Sequence, residues 1–494
     1  MSNNHSYVIT DYGPMKTFDP KQVKSKLENL ETKIDALSGG ENINIDTALS
    51  DISTNPVQNK IITNKINSIN SDVNTNTTNI SAVITKVTSL ELQVAANTAD
   101  IEGLKSGYTD LSKIDIYGSP LSSQSTANCY VVKEAGNYKL PLVYGNAIKN
   151  GTANTAAYTN LGTNSCMMNF VNAYGNQITS PYIETDTGKT CAEAQFSIGD
   201  ADIFKDLSIS DGYLYFTVID VPVTGANGVL SVKDSDGNIM WNWHIWVFPY
   251  DLTPVTITNS TGVDYDIMPV YLATTYDDGD STKRKNWFYQ WGRSVPILGP
   301  AAYNSTTKAT SYGVLSFTAL LTTATSSEAY GPYQKGILNP AALCHSTDDD
   351  YYNWFGNYAS YYNLWDASCS AAGCSDNTTV KTVYDPSPVG FKIPNGSTFT
   401  GFSTSNVVGS FSNGYTLKKN SSDTVGVFFP ATGYRAGDNR YGDNLDIGSI
   451  GYVWTSAAYS RKYAYYMRFT KGSVATENSG WRYEAYSVCC VTDS

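Results

Sequence analysis

The chain is poor in the side chains that usually carry chemistry. It has only three histidines, and its eight cysteines all lie at or beyond Cys129. Cys129, Cys166, Cys191, Cys344, Cys369, Cys374, Cys489 and Cys490 contain no C-x-x-C pair, so no zinc site is expected. Reduced, buried thiols are their expected state. Catalytic signatures are missing as well: there is no G-x-G-x-x-G, P-loop, H-E-x-x-H or G-x-S-x-G. Cys344 and His345 are adjacent, but neighbours on a strand point to opposite faces and cannot form a nucleophile pair. No repeat of fixed period marks a β-helix depolymerase. Asp277, Asp278 and Asp280, and the run Asp348 to Asp350, have oxygen ligands for Ca²⁺ but not the EF-hand spacing, and read as solvated loops. No catalytic residue, cofactor or metal is therefore expected. Long apolar runs are absent too, so no membrane insertion is expected. Met1 to Tyr7 is polar, without the apolar core of a secretory signal. Basic residues are the scarcer sign, 33 against 45 acids, giving a net charge of −12. That balance argues against a nucleic-acid partner.

The strongest positive signal is a heptad between Ile62 and Leu104. Taking Ile66 as position a, the a sites are Ile66, Val73, Ile80, Val87, Val94 and Ile101. The d sites are Ile62, Ile69, Asn76, Val83, Leu90, Asn97 and Leu104. β-Branched residues at both positions favour three strands, and the two Asn fix register at a cost in stability. A homotrimeric coiled coil about 65 Å long is the expectation.

The other boundaries follow from local signals. Residues 1–15 carry no period and read as an attachment arm, and 16–40 as a short coil opened by Asp19-Pro20 and stopped by Gly39-Gly40. Residues 41–60 form a linker, 61–105 the long coil and 106–119 a neck. From about 120 the period changes to two. NYKLPLVYG (137–145), YLYFTVIDV (213–221), GVLSVKD (228–234) and IMWNWHIWVF (239–248) read as strands, the last two joined at Asp236-Gly237. Trp241, Trp243, Ile245 and Val247 share one face of the last strand, and His244 reads as a satisfied sheet residue. With no long helix between these runs, 120–252 is expected to be a β-sandwich.

Several stretches resemble known families. STNPVQNK (53–60) resembles a short motif of bacteriophage tail fibres, where it precedes a trimeric coil. The block from NCYVVKEAGNYKLPLVYG to SDGNIMWNWHIWVF resembles a β-rich module of gut Bacteroidales and their phages. Pro430, Gly433, Tyr434 and Arg435, then Gly451, Tyr452, Trp454 and Ser456, then Ser487, Val488, Cys490 and Val491 resemble a third pattern. It is the C-type-lectin fold of formylglycine-generating-enzyme-like domains and of diversity-generating-retroelement variable proteins. Cys489 stands where that pattern usually has Arg. The resemblance covers roughly residues 285–494 and implies an α+β lectin-like receptor-binding head, whose domain is expected over 253–494. The fold expected of the whole chain is thus multidomain: trimeric α coiled coil, central β-sandwich and C-terminal α+β lectin-like domain.

Between the pattern positions lies an unusual composition. Tyr434 to Tyr486 holds nine Tyr and two Trp. Tyr offers large amphipathic contact area at low entropy cost, which suits a binding face. Tyr452, Trp454, Met467 and Phe469 are expected in the core. Tyr441, Tyr459, Ser460, Arg461, Lys462, Tyr463, Trp481, Tyr483 and Glu484 are expected to contact a receptor. The leading expectation is a virion protein, a trimeric tail fibre that binds a glycan or protein on the bacterial surface. Its partners would be its own copies, a tail or baseplate protein and the host receptor. A tail-borne polysaccharide hydrolase and a bacterial surface adhesin are the alternatives. The missing signal weighs against the adhesin.

Overall fold

A computed structural model describes residues 56–160, 167–303, 321–324, 331–346, 361–374, 378–419, 426–437 and 442–493, with the single positions 29, 354 and 423. The arm 1–15, the short coil 16–40 apart from Asn29, and linker residues 41–55 lie outside these. The chain divides into two compact units, Met1–Ser106 and Gly107–Ser494.

In the first unit the described element is one helix, Pro56–Ser106. Pro56 opens it, where a missing N–H costs nothing because the first turn has no acceptor for it. The polar residues between the apolar ones close back on the helix: Thr75, Thr77 and Thr85 donate their hydroxyls to the carbonyls of Ser71, Val73 and Ser81. Along the apolar series, Ile62, Ile69, Val73, Val83, Leu90 and Val94 are exposed, from 41% at Ile62 to 63% at Val94. Ile66, Ile80 and Val87 are half-buried and Asn76 exposed, while the side chains of Asn97, Ile101 and Leu104 lie outside the described set.

The expected fold class is corrected here. Among the described residues strands predominate, the α-helices are Pro56–Ser106, Ile183–Thr187 and Gly331–Leu338, and no N-terminal coiled coil is shown. A heptad marks which face of a helix is apolar. It does not itself supply the neighbours that would bury that face.

The second unit opens with two four-stranded sheets. One has the order Thr109–Asp110, Gly136–Pro141, Tyr213–Val218, Phe204–Ser210; the other Cys129–Val132, Ile239–Val247, Ala226–Lys233, Glu193–Gly199. The strand Ile239–Val247 pairs antiparallel with Ala226–Lys233 through a turn in which Gly237 takes φ +83°. One-sided burial was expected of it, yet Trp241, Trp243, His244, Trp246 and Val247 are all fully buried. Both of its faces are covered, the usual reason for a near-continuous apolar run. Asn242 Nδ2 donates to the Ile337 carbonyl at 2.7 Å and Trp246 Nε1 to that of Thr274 at 2.9 Å. Trp241 donates to Asn128 Oδ1 at 3.2 Å, and Asn128 Nδ2 donates to the carbonyls of Val383 and Asp385. Gly145 makes this junction possible, because a Cβ there would sit 2.0 Å from Asn128 Oδ1.

Blocks 120–252 and 253–494 therefore share one core. The later block is also β rather than α+β. Its one described helix is Gly331–Leu338. Its apolar runs are short and punctuated by glycine and asparagine, with no 3.6-residue period to build a longer one. The main sheet runs Asn444–Leu445, Tyr434–Arg435, Ala485–Val488, Ile450–Ala458, Tyr463–Thr470, Ser473–Trp481, with Tyr289–Gln290 pairing with Ala485–Val488. Trp454 is fully buried and donates Nε1 to the Tyr289 carbonyl at 2.9 Å.

The cysteine reading also changes. Cys369 and Cys374 form a disulfide, whereas Cys129, Cys191, Cys344, Cys489 and Cys490 are buried thiols.

Candidate functional site

Two successive hairpins at the end of the main sheet carry the candidate face. Ile450–Ala458 pairs antiparallel with Tyr463–Thr470, and that strand pairs with Ser473–Trp481. The first connection is the loop Tyr459 to Lys462. It is short and internally bonded: the N–H groups of Tyr459 and Ser460 both donate to the Tyr463 carbonyl, at 3.1 and 3.0 Å. Ser460 Oγ accepts from the N–H groups of Lys462 and Tyr463, both at 3.3 Å.

The loop is held from beneath by Arg482, which is fully buried. Its guanidinium donates to the carbonyls of Tyr463, Ser460 and Tyr361 and lies 4.4 Å over the Trp291 ring. From the side, Gly373 N donates to the Ala458 carbonyl at 3.0 Å, so the disulfide-closed segment Cys369 to Cys374 abuts the strand end that launches Tyr459.

On this frame Tyr459 is 46% exposed and Arg461 is exposed, while Ser460, Lys462, Tyr463, Tyr465 and Trp481 are half-buried. Tyr463 stands directly opposite Trp481 in the strand register. The Tyr459 ring meets Tyr465 edge-on at 5.2 Å and Tyr463 at 6.4 Å. Half-exposed rings held edge-to-face give a rigid surface that loses little entropy on binding.

Two expected members do not belong to this surface. Tyr483 is 6% and Glu484 1% exposed. Glu484 Oε2 accepts from Gly437 N at 3.0 Å, and Tyr483 stacks beneath Trp481 at 5.6 Å. Both follow the last residue of an edge strand as the chain turns into the core, which reverses the inside–outside alternation. Tyr441 lies outside the described residues. Tyr465 was missed, although its two-residue spacing from Tyr463 places it on the same face. Nothing local in the sequence signals Arg482 as the loop's anchor, because its acceptors lie in two separate segments, at 460–463 and at 361.

Tyr452, Trp454, Met467 and Phe469 are buried. Among the described residues no group of three His, Cys, Asp or Glu side chains is placed to hold a metal. Asp277 and Asp280 flank a hairpin turn and pair with Lys285 and Lys283. The run Asp348 to Asp350 lies outside the described residues. His244 is fully buried beside Asn227 Oδ1, at 2.9 Å from Nε2, and burial pushes its pKa down to about 3.

Residues 412–490 match a family model described as a domain of unknown function (DUF8237), a span that includes both hairpins. No curated protein and no solved structure matches the chain.

Proposed function

We propose that this chain is a structural attachment protein of the bacteriophage tail-fibre kind, which recognises a glycan or protein receptor on a bacterial surface. The observation that carries the reading is the face built from Tyr459, Tyr463, Tyr465 and Trp481. These rings are kept partly in solvent on two adjacent strands and the loop that leads into them, beside Arg461 and Lys462. Apolar rings that edge polar groups are the usual anchors of interface hot spots, and they also stack on the C–H faces of sugars. Residues 1–15 would dock on a tail or baseplate protein. Association into a homotrimer belongs to the same reading. Its surface would be the exposed series of Ile62, Ile69, Val73, Val83, Leu90 and Val94, an apolar stripe on a water-facing helix.

The test is the full chain with Tyr459→Ala, Tyr463→Ala and Trp481→Ala together, assayed on bacterial cells and a panel of surface polysaccharides. Each lost anchor should cost about 2 kcal/mol per site, multiplied where several copies bind at once. The variant should keep its melting temperature within a few degrees and lose adsorption. Undiminished adsorption by that folded variant would remove the face from the reading. Light scattering on the full chain examines the assembly separately, and a monomer mass would exclude the homotrimer.

A further inference from the structure

A pocket of about 280 Å³ lies elsewhere in the second unit, between the segment 121–154 and the segment 381–390. None of the aromatic-face residues lines it. Leu121, Ile148 and Val389 give it an apolar side. Asn146, Lys381 and Asp493 give it a polar one.

Two of these polar groups have bonding capacity left over. Asn146 is 3% exposed, and its Nδ2 donates to the carbonyls of Thr382 and Asp385 at 2.7 and 2.9 Å. Its Oδ1 is buried without a hydrogen-bond partner. A buried acceptor left unpaired costs about 1–3 kcal/mol, so a site that retains one is matched to a donor from outside. Lys381 Nζ donates to the carbonyls of Ser387 and Pro388 at 3.2 and 3.1 Å. An ammonium has three protons to give, so one remains.

The charges nearby are already answered. Asp493 is paired with Lys149 at 2.7 Å and Lys392 at 3.4 Å. The Asp385 carboxylate accepts from the N–H groups of Ser387 and Ile393. Asp385 also acts on Lys381 through space, and Lys149, Lys381 and Lys392 against Asp385 and Asp493 leave one positive charge in excess around the pocket; burial holds the Lys381 pKa below the ordinary lysine value.

We infer that this pocket binds a sugar ring bearing a carboxylate, a uronic acid in type. Its carboxylate takes the remaining Lys381 proton. One hydroxyl donates to Asn146 Oδ1. The ring's C–H face lies on Leu121, Ile148 and Val389. The volume is just below the range of drug-sized ligand sites and suits one sugar ring rather than an oligosaccharide. Asn146 and Asn150 support this shape. Both take positive φ, 61° and 52°, and turn the chain sharply around the Ile148–Lys149 strand that floors the pocket. The inference stands apart from the aromatic face and does not depend on it.

The test uses the full chain in calorimetric titration and saturation-transfer difference NMR, with glucuronate, methyl glucuronoside, glucose and acetate. A charge-assisted bond contributes about tenfold over its neutral counterpart. Glucuronate or its methyl glycoside should therefore bind saturably, about tenfold tighter than glucose, while acetate competes poorly. Preference for the glycoside supports a glycan as the source, and preference for the free sugar supports a soluble sugar acid. Lys381→Met should bring the acid and glucose to similar affinity. Leu121→Trp, a half-exposed position, should fill the pocket and abolish binding of both, and it decides the matter where the lysine variant does not fold. Equal affinity for glucose and glucuronate in the unaltered chain, displacement by acetate at matching concentration, or unchanged binding by Leu121→Trp would each overturn the inference.

Discussion

Replacing Arg482 by Met removes the support under the Tyr459 to Lys462 loop without touching its surface. The guanidinium donates to three carbonyls. The Tyr463 carbonyl keeps two N–H donors from within the loop, so the loss falls on Ser460 and Tyr361. Each carbonyl deprived of its donor costs about 1–3 kcal/mol, and the cation–π contact with Trp291 adds up to about 2. Methionine recovers part of this by filling the space over the ring, which leaves a net loss of about 3–5 kcal/mol. An unfolding entropy near 2.1 cal/mol/K per residue, taken over Gly107–Ser494, converts that to a drop of about 4–6 °C in melting temperature. Arg482→Lys should lose about half as much, keeping the charge but not the forked geometry. Differential scanning calorimetry reads the first effect. Amide exchange of residues 459–463 reads the second, and it should speed up in the Met variant, with receptor binding falling alongside. An unshifted melting temperature together with unaltered exchange in this loop would refute the reasoning.

Other outcomes follow from single contacts. His244 is held neutral by burial, with a folded pKa near 3 against an unfolded value near 6.5. The unfolded chain binds the extra proton between these values, so stability is whole above about pH 6.5 and declines as pH falls toward 3, by at most about 1.4 kcal/mol per unit. Urea midpoints at pH 7 and pH 5 should show this, and His244→Gln should flatten the difference. Gly145→Ala would place a methyl group against the Asn128 side chain and should cost at least about 3 kcal/mol, read as a lowered denaturant midpoint. Alkylation of denatured, unreduced protein should label Cys129, Cys191, Cys344, Cys489 and Cys490 but spare Cys369 and Cys374. Label on either of that pair would remove the clip beside the loop.

Period-two patterning revealed where the strands of the first half lie. The runs at 213–221, 228–234 and 239–248 fall on Tyr213–Val218, Ala226–Lys233 and Ile239–Val247. What that patterning did not reveal is what covers them. Trp246 and His244 look like the outer face of a half-exposed strand until residues 274 and 287 close over them. The heptad shows the same limit in another form, since spacing identifies an apolar side and leaves its neighbour unstated. At the candidate face the reverse error occurred. Composition drew Tyr483 and Glu484 into the group, but an edge strand that turns inward buries them. The disulfide was illegible because a pair five residues apart depends on the loop's backbone, which no period encodes.

The doubly covered strand Ile239–Val247 has a consequence for how this protein can change. A cut at residue 252 would lay bare Trp246 and Asn242 on one side and strand their partners on the other. The halves cannot be expressed, inherited or exchanged as separate modules, and a recombinant fragment begun at residue 253 should come out insoluble. Novelty has to arise where the scaffold is indifferent to it. The crest of the Tyr459 to Lys462 loop is such a place: a buried arginine fixes its backbone, and the Tyr459 ring stands 46% exposed above it.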